Sequence, residues 1–304
     1  AVLYGTNVAQ GDADGGFSRA ARLTAALRDT CRSKIPMLIS IDVEGGSVVR
    51  FRWNPWPSSA QTLGTRDDPD AAYRQFQTIG KKLLETGINL NLAPVLDVAP
   101  DPDDTFLDTR IISSDAVVTS DIGAAIIAGL HDAGCLSAAK HFPGHGGTSA
   151  DSHATTPVVD KSADELFEYD LVPFAAAVEA GVDVVLVAHI RYPALDAENI
   201  ASLSPAIIGG LLREELGFDG IVMSDDFRMG GLTSQCPAGE AAVRFLLAGG
   251  DLILCGPRHD LQREIMDALR AAADDGTLSE ARIDESVLRI VQKKMQVTGW
   301  SPLE

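Results

Sequence analysis

Positive charge is scarce in this chain: 25 lysines and arginines stand against 43 aspartates and glutamates, a net charge of −18. Such a surface repels nucleic-acid phosphates and anionic lipid headgroups, so neither is an expected partner. Cysteine is scarce too. Cys31, Cys135, Cys236 and Cys255 are scattered without a CxxC pair, which excludes a disulfide framework and leaves the redox compartment open. HExxH, GxxxxGK[ST] and GxGxxG are all absent, so no metal or nucleotide cofactor is expected. His141, His145 and His153 are close in sequence, but the proline and glycines among them deny a shared helical face. No apolar stretch reads as long enough to cross a bilayer, and no basic segment with an apolar core marks a secretion signal. The sequence starts at Ala1 inside a strand-like run, so an upstream segment and the compartment, cytoplasmic or secreted, stay open.

What is present is a recurring alternation. Apolar runs at 2–5, 37–42, 88–97, 136–141, 182–189, 221–225 and 252–256 read as buried strands. Amphipathic segments lie between and after them, at 17–32, 70–86, 117–133, 163–180, 205–216, 238–248 and 259–274. Continuous apolar strands alternating with helices specify a parallel sheet covered on both faces. Seven such units without a linker predict an α/β fold, a single (β/α)8 TIM-type barrel spanning 1–304 as one catalytic domain, with one strand irregular or missing. Nothing calls for an obligate assembly, so a monomer is expected.

Polar residues gather at the carboxyl ends of these runs: Asp42, Asp97, Lys140, His141, His189, Asp225 and Asp226. In a barrel those ends share one mouth, where catalysis takes place. A carboxylate directly after an apolar strand, as Asp225 is, suits a nucleophile or a metal ligand. The plainer reading has Ser224, Asp225 and Asp226 capping the next helix. In an adjacent pair, one aspartate reacts and the other supports. The loop 140–153 adds Asp151 and His153, two residues apart. There a carboxylate can orient an imidazole whose ordinary pKa, near 6.5, suits proton transfer in both directions; a solvated turn is the alternative. Lys140, His141, Arg50 and Arg110 offer donors for hydroxyls or carboxylates, with one of Lys140 and His141 facing the mouth. The loop's glycines read as a hinge.

The run Lys140-His-Phe-Pro-Gly-His-Gly, followed by Asp151-Ser-His153, resembles the signature of glycoside hydrolase family 3 and its β-N-acetylglucosaminidases. Ile41-Asp-Val-Glu-Gly-Gly46, Asn91-Leu-Ala-Pro-Val-Leu-Asp-Val98 and Gly217-Phe-Asp-Gly-Ile-Val-Met-Ser-Asp-Asp226 are similar to further motifs of that family, in its order. The resemblance implies a barrel that removes terminal β-linked N-acetylglucosamine with retention, from cell-wall muropeptides or chitooligosaccharides. It implies Asp225 as nucleophile, His153 as general acid/base with Asp151 as its partner, and Asp42, Arg50, Arg110, Lys140 and His141 as sugar-binding positions. Ser47, Gly147, Ile111 and Ile112 depart from the family's usual residues. Two other functions compete: a phosphorylase in which phosphate replaces water as acceptor, and a sugar-binding barrel without turnover.

Overall fold

A computed structural model describes residues 1–8, 15–31, 35–51, 53–100, 105–148, 150–152 and 154–301. Its main sheet is parallel, in the order β1 (Val2–Leu3), β2 (Ser40–Ile41), β5 (Leu90–Asn91), β6 (Leu136–Phe142), β7 (Val184–Val187) and β10 (Ile221–Ser224). A parallel bridge from Met223 to Leu252 adds a seventh position. All seven predicted runs therefore hold a place in the sheet, in sequence order, and among the described residues no eighth strand joins them. Two antiparallel hairpins, β3 (Val43–Gly45) with β4 (Val48–Val49) and β8 (Arg191–Tyr192) with β9 (Asp196–Ile200), rise from the strand ends. The predicted helices form at Phe17–Asp29, Pro69–Glu85, Ala116–Ala133, Val172–Glu179, Ala206–Glu215, Ala238–Leu247 and His259–Asp274. The architecture is an irregular TIM-type barrel.

Strand alternation sorts the core into two layers. Leu38, Leu90, Leu92, Leu136, Ala138, Val184, Leu186, Ile221, Met223 and Leu254 form one cluster, the filling of the barrel. The intervening residues, among them Ala139, Val185, Val187 and Val222, belong to the larger cluster shared with the helices. Counting by twos carries Leu38 to Asp42, Leu136 to Lys140 and Ile221 to Asp225, so these three leave the sheet on its inner side. The same count carries Val187 to His189 in the outer shell, and that corrects one expectation. His189 is fully buried against Phe227 and Ser202 rather than in the mouth.

Two buried asparagines replace rungs that the short strands lack. The Asn89 amide accepts from Ile39 N at 2.8 Å and donates to Met37 O at 3.1 Å. Asn91 does the same for Val43, at 3.0 and 2.9 Å. Each bond contributes about 1 kcal/mol net, and together they fix the chain on either side of Asp42.

Two further points correct the sequence reading. Helix Ala116–Ala133 is long and apolar enough to cross a membrane by length and composition; here it packs between Pro69–Glu85 and Val172–Glu179. The helix Glu280–Thr298 was not anticipated, although Ser279 caps its start and Gly299, with φ of 66°, ends it. It is fastened beneath the barrel by two carboxylates whose side chains are wholly buried. Asp251 takes Arg213, Ser286 and Arg289 at 2.5, 2.6 and 3.1 Å. Asp183 takes Lys293 at 2.7 Å and His131 at 2.8 Å.

Candidate active site

The inner residues open into a cavity of about 410 Å³ at the carboxyl ends of the strands, within the usual span of small-molecule sites, roughly 300–1,000 Å³. Asp42, Arg50, Arg110, Lys140, His141 and Asp225 all line it, together with Tyr4, Glu44, Phe106, His145, Ser152, Asp226 and Arg228.

One side is an ion-pair chain. Lys140 Nζ reaches Asp42 Oδ1 at 2.8 Å and Glu44 Oε1 at 2.7 Å. Arg110 grips the Glu44 carboxylate with Nε at 2.8 Å and Nη2 at 3.0 Å. Arg50 Nη2 lies 3.7 Å from Asp42 Oδ2. Glu44 is therefore the hub, and it was missed as a working residue even though it shares strand parity with Asp42. Burial alone would raise its carboxyl, but Lys140 and Arg110 outweigh that and bring it down to about 2. Lys140 is likewise held above its ordinary value: burial would lower it, and Asp42 and Glu44 prevail. The hairpin presenting Glu44 turns on Gly45, whose φ is +97° and where a Cβ would stand 2.1 Å from Ser58 O.

Both Lys140 and His141 face the cavity, against the expectation of one. The β6–β7 register shifts between Lys140 and Phe142, so alternation fails at this step. His141 Nδ1 meets Asp97 Oδ2 at 2.6 Å. The other Asp97 oxygen accepts the amides of His141 and His145 at 3.1 and 2.6 Å. Asp97 is wholly buried behind His141 rather than in the mouth; burial would raise its carboxyl, and the two histidines hold it low instead. Its grip on Nδ1 leaves the other ring nitrogen of His141 for a ligand.

The aspartate pair separates cleanly. Asp226 accepts from Tyr4 Oη at 3.0 Å, Gly256 N at 3.2 Å, and Arg228 through its amide, Nε and Nη2, the last at 2.6 Å. Burial would raise the Asp226 carboxyl, but Arg228 and these amides keep it low. Arg228 lies flat over Gly256, where a Cβ would meet its Cζ at 2.2 Å. Asp225, among the described residues, accepts one hydrogen bond, from the Asp226 amide at 2.8 Å. Its own amide donates to Val187 O at 3.0 Å, continuing the β7–β10 ladder.

Of the predicted proton-transfer pair, Asp151 is described and exposed, while His153 lies outside the described residues. The expected hinge is not borne out at Gly144, Gly146 and Gly147. A Cβ at Gly146 would sit 2.0 Å from Val98 O, one at Gly147 3.0 Å from Val159 Cγ1, and one at Gly144 3.0 Å from Asp170 Cβ. These glycines permit close packing.

Comparison with known proteins places this geometry. The sequence matches the Glycosyl hydrolase family 3 N terminal domain over residues 10–293. It is 31% identical to beta-hexosaminidase A of Pseudoalteromonas piscicida, over 98% of this chain and 53% of that protein. It is 36% identical to beta-hexosaminidase LpqI of Mycobacterium tuberculosis, over 86% of this chain and 68% of the relative. Among solved structures, a family 3 beta-N-acetylglucosaminidase from Paenibacillus sp. superposes with a TM-score of 0.92 at 37% identity, covering 97% of this chain and 56% of that one. The chain thus spans little more than half the length of the first and last of these relatives. With its motifs in order, its barrel shared and its sequence matched along most of its length, the chain belongs to glycoside hydrolase family 3.

Proposed function

We propose that the chain is a retaining exo-β-N-acetylglucosaminidase that removes terminal β-linked N-acetylglucosamine, acting as one catalytic barrel across residues 1–304. The observation that carries this reading is the division of labour between neighbours: Asp226 is locked by Tyr4, Arg228 and Gly256, while the Asp225 carboxylate faces the same cavity and, among the described residues, accepts one hydrogen bond. The names of the relatives supply the sugar, and cell-wall fragments and chitooligosaccharides both present it.

In the first step Asp225 attacks the anomeric carbon while His153, protonated and partnered by Asp151, gives its proton to the leaving oxygen. In the second, neutral His153 takes a proton from water, which displaces Asp225 from the same carbon. Asp42, Lys140, Arg50, Arg110 and His141 hold the sugar hydroxyls. A paired imidazole in place of the usual second carboxylate still supplies acid and base in turn.

Holding His141 requires Asp97 as a charged acceptor. Asp97→Asn sets an amide against the Nδ1–H and two backbone amides, and is expected to lower kcat/KM roughly 10- to 100-fold, mostly through KM. Steady-state kinetics beside a thermal melt separates this from unfolding; an unchanged KM would remove the role given to Asp97.

The function itself is tested with aryl β-glycosides of N-acetylglucosamine, glucose and xylose, with and without phosphate. The expected result is fastest release from the N-acetylglucosaminide, as free sugar and independent of phosphate. Phosphate acceleration with sugar 1-phosphate as product would make the chain a phosphorylase, and saturable binding without turnover a sugar-binding barrel.

A further inference from the structure

We infer that the hydrogen bond between His145 and Ser152 is the tether that sets the reach of the proton-transfer residues, making His145 and Ser152 positioning residues for His153. The inference rests on the reading of the chain as a retaining glycosidase with His153 as acid/base.

His145 is a fixed post. Its amide is held by Asp97 Oδ1 at 2.6 Å, its ring lies against Phe106 with centroids 4.5 Å apart, and the edge of His141 closes another side at 5.9 Å. The following Gly146 is pressed on the Val98 carbonyl. From this post the side chain makes a single hydrogen bond among the described residues, Nε2 to Ser152 Oγ at 2.9 Å, while Nδ1 is buried without a partner. Burial brings the imidazole down to about 4, so near neutral pH it carries no charge that would draw it toward the carboxylates of the cavity.

Ser152 is the other half. It is 2% exposed between Asp151 and Ala154, which are both exposed, so the loop turns this one hydroxyl inward. A buried hydroxyl needs a partner, and among the described residues His145 is the one it has. Its carbonyl is anchored separately, by Gly231 N at 3.0 Å, on the segment that follows Asp225 and Asp226. Gly231 permits this approach, since a Cβ there would stand 3.1 Å from the Ser152 carbonyl oxygen and 2.7 Å from His189 O. Ser152 is thus hooked to the sugar-binding side by its hydroxyl and to the nucleophile's segment by its backbone. His153 is the next residue in the sequence. A displaced hook moves the proton donor while leaving the sugar cluster in place.

The test compares kcat/KM on two N-acetylglucosaminides: a dinitrophenyl glycoside, whose leaving group departs without a proton, and the β-linked disaccharide, whose leaving group needs one. For Ser152→Ala and His145→Phe the loss on the disaccharide is expected to exceed that on the dinitrophenyl glycoside by about tenfold or more. His145→Gln, whose amide reaches the position of Nε2, is expected to restore most of the difference. The double variant His145→Phe/Ser152→Ala should be no worse than either single one, because both break the same bond. Equal losses on the two substrates, no loss on either, or additive effects in the double variant would overturn the tether alone. A wild-type chain inert on both substrates would overturn the glycosidase reading and the tether with it.

Discussion

Asp225→Ala is expected to lower kcat/KM on an aryl N-acetyl-β-glucosaminide by at least about 10⁴-fold, as removal of a nucleophile does. At about 1.4 kcal/mol per tenfold, that amounts to more than about 5 kcal/mol of transition-state stabilisation. The fold should survive: Asp225 is only partly buried, and the Asp226 amide is the one donor its carboxylate leaves behind among the described residues. The sharper readout is stereochemical. With the carboxylate gone, azide can enter from the face Asp225 occupied and give the α-glycosyl azide, one inversion in place of two. For a variant of the proton donor, azide instead displaces Asp225 from the opposite face and gives the β product. Activity within tenfold of wild type, or a β azide from Asp225→Ala, would remove the nucleophile from this position.

The second large effect falls on stability. Glu44→Ala is expected to cost about 3–5 kcal/mol, because it leaves the buried Lys140 and the half-buried Arg110 without their shared partner. Urea unfolding monitored by circular dichroism measures it, and a loss under 1 kcal/mol would show that Glu44 is not the hub. The pH dependence has a definite sign. The folded-state carboxyl, at about 2, lies below its ordinary value of 4.5. Its contribution is therefore complete above about pH 4.5 and fades as pH falls toward 2. The wild type should lose stability across that window more steeply than Glu44→Gln, which has no proton to take up there.

The barrel was legible because a parallel sheet buried on both faces writes itself as continuous apolar runs, Val184–Val187 being the plainest case. Asp42, Lys140 and Asp225 were legible as their inner-side endings. The same rule of twos, applied to Val187, would have moved His189 out of the mouth. His141 could not be placed that way, since the register shift beside it belongs to the folded pairing. Glu44, His145, Ser152 and Tyr4 were missed as a class, and Asp97 was expected in the mouth rather than behind His141. Each works by holding another residue, often across a long stretch of chain, as Tyr4 does with Asp226 over 222 positions. Such contacts have no local period. Helix Glu280–Thr298 was missed although its capping serine and closing glycine were in view.

That last helix bears on how the barrel is completed. Ribosomes deliver Asp183 and Asp251 well before Arg282, Arg289 and Lys293, the cations that neutralise them from below. Before this segment is made, Asp251 has Arg213 and the Val222 amide, and Asp183 has His131 and the Ser137 amide, so each buried carboxylate is only partly paired. The floor of the barrel therefore reaches its full pairing only when the final helix is in place, with Arg289 added to Asp251 and Lys293 to Asp183.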